Sequence, residues 1–172
     1  MIPVAVVTGP VGVGKSTVLQ EADALLVEAG VRHATVELED IARSWPARLG
    51  ERGNADIAYR NLASVWANYS AAGADRLLLG LLLEQRSDLL PVYEAIPGAE
   101  ITVVRLHAPL SLIEERLRLR EKTIPEAEVS AARWWASRLE GSLVADHLVD
   151  NSQRPPREVA ADVLRALGWL ER

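Results

Sequence analysis

The 172-residue sequence predicts an α/β fold, a three-layer sandwich in which about five parallel strands carry helices on both faces. Three observations lead there. Five apolar runs recur along the chain, helical patterns separate them, and a glycine-rich turn joins the first run to the first helix.

The first strand is expected at residues 2–7, an unbroken apolar run of the kind a strand buried on both faces needs. A helix over 17–29 follows, closed by Gly30. The second strand is expected at about 34–39 and the third at 76–83. That third run is leucine-rich, and its place between Gly73 and a helical segment favours strand over helix. Residues 101–106 make a fourth strand, and the last four of 143–150 a short fifth. Helices over 55–72, 111–121, 125–139 and 156–167 fill the intervals, the last with Pro156 near its start.

Length fits one domain over residues 1–172, and 49% hydrophobic content is that of an ordinary globular chain. A net charge of −5 argues against a general nucleic-acid binder, because backbone binding calls for a basic surface. With no cysteine, disulfide, zinc-thiolate and cysteine-nucleophile chemistry are all excluded. The longest apolar stretch, 77–83, is far too short to span a bilayer, and Met1 leads straight into a strand with no basic leader. A cytoplasmic monomer or homodimer, without membrane or nucleic-acid partners, is expected.

Between the first strand and the first helix stands Gly9-Pro10-Val11-Gly12-Val13-Gly14-Lys15-Ser16, which fits G-x-x-x-x-G-K-[ST]. Glycines let the backbone curl so that successive N–H groups face an anion, and the following helix adds its partial positive charge. The loop predicts nucleoside triphosphate binding through Gly9, Gly12, Val13, Gly14, Lys15, Ser16 and Thr17. In that role Lys15 reaches the terminal phosphates and Ser16 holds a magnesium ion. Lys15 is one of only two lysines among 19 basic residues, so its choice over arginine points to a compact, mobile charge.

Open parallel sheets bind ligands beyond the carboxyl ends of their strands, and the residues there are polar. After the second strand come Glu37, Glu39, Asp40 and Arg43; after the third, Glu84, Gln85 and Arg86; after the fifth, Asn151 and Ser152. Glu37 and Glu39, two apart on a strand, project to one face. Two acids on one face of a buried strand need a partner, which a magnesium ion and an acceptor hydroxyl would supply. Glu39 is then the base, with Glu37 on a magnesium-bound water or orienting Glu39; Asp40 stands one residue away as a further candidate. A solvated charge run is the other reading.

Late in the chain Arg116, Arg118 and Arg120 close one helix, and Arg133 and Arg138 lie on the next. A helix, loop, helix insertion at about 116–138 suits a lid that brings guanidinium groups to a transferring phosphoryl group. Spacing of four juxtaposes Arg116 and Arg120, like charges that an anion would share, whereas Arg118 can pair with Glu114 or Glu115. The alternative is a solvated helical face. Trp134 and Trp135, with Trp45, Trp66 and Trp169, either line an acceptor pocket or fill the core, and about three of the five should be structural. His33, His107 and His147 show no ligand spacing.

Taken together, the loop, acidic strand end, arginine-bearing insertion and final loop resemble the P-loop small-molecule kinases. The compact group with shikimate, gluconate and adenylylsulfate kinases and chloramphenicol phosphotransferase is the nearest in look. The resemblance spans nearly the whole chain. It implies an ATP- and magnesium-dependent phosphotransferase acting on a small-molecule hydroxyl. Glu37-Leu38-Glu39 stands where such kinases often carry D-x-D. The lid arginines would map onto Arg116 and Arg120, with Arg133 as a further candidate, and the adenine-side loop onto Asn151, Ser152 and Arg154. The segment 41–69, bearing Arg43, Arg48, Arg52 and Arg60, lies where such kinases grip the acceptor, and its arginines hint at an anionic one. Glu84-Gln85-Arg86 replaces the glycine-rich acceptor turn of shikimate kinases, which argues against shikimate as the substrate. A partner-regulated ATPase without an acceptor, or a nucleotide-binding protein that has lost catalysis, are the rival readings. No N-K-x-D sequence points to guanine.

Overall fold

The computed structural model describes residues 1–44, 54–120, 126–139 and 141–170. Its elements run β1 (Ile2–Thr8), α1 (Lys15–Glu28), β2 (Ala34–Glu37), α2 (Ala55–Ala71), β3 (Leu77–Gly80), α3 (Leu90–Ala95), β4 (Ala99–His107), α4 (Leu110–Arg120), α5 (Glu126–Leu139), β5 (His147–Asp150) and α6 (Pro156–Ala166). All five strands are parallel, in the order β2-β3-β1-β4-β5.

Alternation along β1 builds the two cores. Ala5 and Val7 face one side, where they meet Leu19, Leu26, Leu117, Val159 and Val163 from α1, α4 and α6. Val4 and Val6 face the other, against Leu62 and Trp66 of α2 and Val92 of α3. A strand apolar on both faces therefore sits at the centre, as its unbroken run requires. The result is the expected three-layer sandwich.

The strand order also places the site. From β1 the chain crosses to the edge strand β2, whereas from β3 it crosses back to β4 on the far side of β1. Connections leaving two neighbouring strands in opposite directions open a crevice at their carboxyl ends, and the glycine-rich loop stands there.

Two expected strands end early. The third stops at Gly80, and residues 81–83 form a loop held from the side: Leu81 N donates to Val7 O at 3.2 Å and Leu83 N to the buried Thr8 Oγ1 at 3.0 Å. The second stops at Glu37, and Glu39 takes helical angles at the entry to the 3-10 turn Asp40–Ala42. Helix α3 falls in the helical segment expected after the third strand, whose bounds the sequence leaves open because so few residues show little periodicity. It is entered through the 3-10 turn Arg86–Leu89, whose Gln85 and Asp88 form a capping box. β4 is longer than expected at both ends, and β5 occupies the four residues anticipated.

Candidate active site

The glycine-rich loop folds as its residue types require. Gly12 and Gly14 adopt φ of +82° and +100°, a region other residues seldom enter. Space reinforces the choice: a Cβ on Gly12 would lie 2.8 Å from Leu117 Cγ, and one on Gly14 would lie 2.7 Å from Asn151 Nδ2. Gly14 is the N-cap of α1, so Lys15, Ser16 and Thr17 fill its first turn, which holds no acidic side chain. The amides of such a first turn lack intrahelical acceptors and favour an anion.

Lys15 Nζ donates to Gly9 O at 2.9 Å and to Pro10 O at 3.3 Å, folded back over its own loop. Burial pushes its pKa below the ordinary 10.5, and the carboxylates of Glu39 and then Glu37 pull it partly back. Ser16 Oγ donates to Glu37 Oε2 at 2.7 Å. These groups share a cleft of about 510 Å³ with Thr17, Arg116, Asn151 and Arg154. Glu37 and Glu39 thus converge as expected, although for a different reason: β2 ends between them, and the turn after it carries Glu39 back toward Lys15.

Behind the loop, Val13 O is a shared acceptor. Asn151, buried at the end of β5, donates to it through Nδ2 at 2.7 Å, and Arg116 through Nη1 at 3.2 Å. Arg116 also donates to Ser152 O at 2.7 Å, so one guanidinium joins the loop to the turn after β5. Arg118 pairs with Glu114 at 3.3 Å. Arg133, donating at 2.6 Å, holds the Glu114 carboxyl below the usual carboxylate range, with Arg118 adding to the effect. Arg120 ends α4 with its side chain outside the described residues, as do residues 121–125. The start of the expected lid is rooted, since Leu117 is buried beside Gly12.

The anticipated acceptor residues have intramolecular partners. Arg43 pairs with Asp40 at 2.9 Å, and Arg60 Nε donates to Asp56 O at 3.3 Å. Glu84 pairs with Arg138, and Arg86 with Asp146. Arg48, Arg52 and Trp45 lie outside the described residues. Of the other tryptophans, Trp66 is core, Trp169 lies under the Arg76 guanidinium, and Trp134 is exposed with its ring edge-on to Trp135 at 4.8 Å. His33 bridges Val31 O and Asp23, and His107 stands 3.8 Å from Asp150.

Sequence reasoning passed over Arg105 and Thr8. Arg105 is a lone charge inside an apolar strand run, which was the available signal. Thr8 ends β1 fully buried, and only the path of the β3 loop reveals its role.

A phosphate loop between β1 and α1, at the switch point of a 2-3-1-4-5 parallel sheet, defines the P-loop NTPase α/β fold. No protein-family model and no curated protein matches the sequence. Solved structures match its fold, among them a gluconokinase, a sugar kinase, an APS kinase and shikimate kinases. The Deinococcus radiodurans tunicamycin resistance protein is 18% identical, with a TM-score of 0.69 over 99% of this chain and 98% of its own. A gluconokinase from Sinorhizobium meliloti 1021 is 21% identical, with a TM-score of 0.62 over 96% and 91%. The Mycobacterium tuberculosis APS kinase, solved with AMPPNP and APS, is 17% identical, with a TM-score of 0.62 over 96% and 97%. The likeness is one of fold. Among the described residues, no helix is long and apolar enough to cross a membrane.

Proposed function

We propose that the chain is a phosphotransferase that moves the γ-phosphoryl group of ATP to a hydroxyl of a small molecule, with magnesium. The observation that carries this reading is the convergence of Lys15, Ser16, Glu37 and Glu39 on one cleft at the loop. A nucleotide-holding protein needs the lysine and the serine; the carboxylates add a base and a second oxygen ligand.

Ser16 and Glu37 fit magnesium in chemistry, both offering hard oxygens. Among the described residues no three His, Cys, Asp or Glu side chains converge on a metal position, which suits an ion that keeps waters and phosphate oxygens as ligands. When bound, the ion would neutralise charge on the phosphates.

In the proposed reaction the acceptor oxygen attacks the γ-phosphorus, the bond to the β-phosphate oxygen breaks, and ADP leaves. Glu39 takes the hydroxyl proton. Lys15 leaves the carbonyls of Gly9 and Pro10 for the phosphate oxygens, and the loop amides hold the rest. Arg116 stands beside the loop, where it can stabilise charge on the phosphates, and Asn151 steadies the loop from behind. Arg43, Arg60, Glu84 and Arg86 remain the candidate acceptor contacts, with Arg120 as a lid contribution. A gluconokinase and an APS kinase among the structural neighbours support a small, hydroxyl-bearing acceptor.

The test is incubation with ATP, magnesium and a pool of metabolites and antibiotics, read by mass spectrometry for the gain of one phosphate. One phosphorylated compound is the expected result. Tight ATP binding with no product would overturn the reading in favour of an acceptor-free ATPase or an inactive nucleotide binder. Glu39→Gln should slow turnover strongly; near-normal activity moves the base to Asp40 or Glu37.

A further inference from the structure

A second cavity, of about 450 Å³, lies between the carboxyl ends of β4 and β5 and the helices α4 and α5. It shares no lining residue with the phosphate-loop cleft. Leu110, Ile113, Ala136 and Leu148 give it apolar walls, and Pro10 forms its border with the loop. Among the described residues, no Asp or Glu lines it.

Two arginines line it, and one of them is uncompensated. Arg133 is tied to Glu114, and His107 faces Asp150. Arg105 has no carboxylate within ion-pairing distance among the described residues; its Nη1 donates to Leu139 O, while its buried Nε meets no acceptor. Burial lowers the Arg105 pKa, and no neighbouring acid opposes that effect. A guanidinium nevertheless stays charged. A half-buried guanidinium without a counter-charge and with one buried N–H left unpaired carries a cost, and among the described residues no other buried side-chain nitrogen or oxygen lacks a partner. A group from outside the chain would offset that cost.

We propose that this cavity binds a small organic carboxylate with an apolar body, its carboxylate on Arg105 and its body against Leu110, Ile113, Ala136 and Leu148. The pairing supplies the negative charge that Arg105 lacks, with the carboxylate accepting from the guanidinium N–H groups that line the cavity. The apolar walls select against bare inorganic anions and against sugars. The cavity size falls in the usual range for small-molecule sites. This inference rests on the cavity alone and stands whether or not the chain transfers phosphate.

The test uses benzoate and hexanoate as probes, with benzamide and hexanamide as uncharged counterparts. Binding to the full chain is followed by saturation-transfer NMR and calorimetry, with and without ATP and magnesium. The carboxylates should bind at least about tenfold more tightly than the amides, and Arg105→Gln should remove that preference. ATP should not displace them. Ala136→Phe, which fills the cavity and leaves Arg105 in place, should also abolish binding; its result alone decides if Arg105→Gln does not fold by circular dichroism. Absence of binding at millimolar probe, equal binding of acid and amide, displacement by ATP, or binding unchanged in Ala136→Phe would each overturn the proposal.

Discussion

Ser16 Oγ and Glu37 Oε2 are 2.7 Å apart, a hydrogen bond that joins the first turn of α1 to the last residue of β2 across the mouth of the cleft. Two hard oxygens held this way make a ready edge for a magnesium ion. Glu37→Gln keeps an acceptor for Ser16 and removes the charge. The magnesium concentration for half-maximal turnover should rise by about tenfold or more, while nucleotide binding without magnesium stays the same. Titration of turnover against magnesium measures the first and fluorescence binding the second. An unchanged magnesium dependence would remove Glu37 from the metal site.

Lys15 links function to a stability cost. Unfolded, its ammonium titrates near the ordinary 10.5; folded, burial lowers that value despite Glu39 and Glu37. Between the two values the unfolded chain binds more protons, so stability of the free protein rises with pH across that window. Below the lowered value the ammonium is charged in both states, and the penalty is fully present. Lys15→Met should therefore abolish turnover and raise stability at neutral pH by about 1 kcal/mol. Urea denaturation across pH should show this gain shrinking as pH climbs from the lowered value toward 10.5. A loss of stability at neutral pH would mean that the Gly9 and Pro10 carbonyls outweigh desolvation.

Gly12 and Leu117 couple the loop to α4. Gly12→Ala meets both a φ of +82° and a Leu117 Cγ at 2.8 Å, and should cost about 1 to 3 kcal/mol with weakened ATP binding. Leu117→Ala removes the clash and opens a core cavity at its own cost of about 2 to 5 kcal/mol. If packing is the larger part, the double variant loses less than the sum of the two in chemical denaturation. Strict additivity would assign the whole cost of Gly12→Ala to its backbone angle.

Much of this was legible in the residues because it is local. The apolar run of β1, the Leu77–Gly80 strand and the G-x-x-x-x-G-K-S loop each carry their own periodicity or turn chemistry. Asn151 was legible by position only. Its place after the fifth strand marked it as a site residue, but its bond to Val13 O, a residue 138 positions away, has no sequence signature. Glu39 illustrates the opposite error. Strand alternation correctly grouped it with Glu37, yet the strand had already ended, and a turn performs the grouping.

By itself, then, the sequence determined the layered fold, the glycine-rich loop at its switch point and the lysine, serine and carboxylates that share the cleft there, since strand periodicity and glycine geometry act over a few residues. Only the tertiary structure decided that Arg116 and Asn151 meet at one carbonyl, that Glu84 and Arg86 are paired with Arg138 and Asp146, and that Arg105 faces a cavity with no acid among its described lining residues. These arrangements join residues far apart along the chain. Electrostatics and packing depend on distance in space, which strand order and helix placement set.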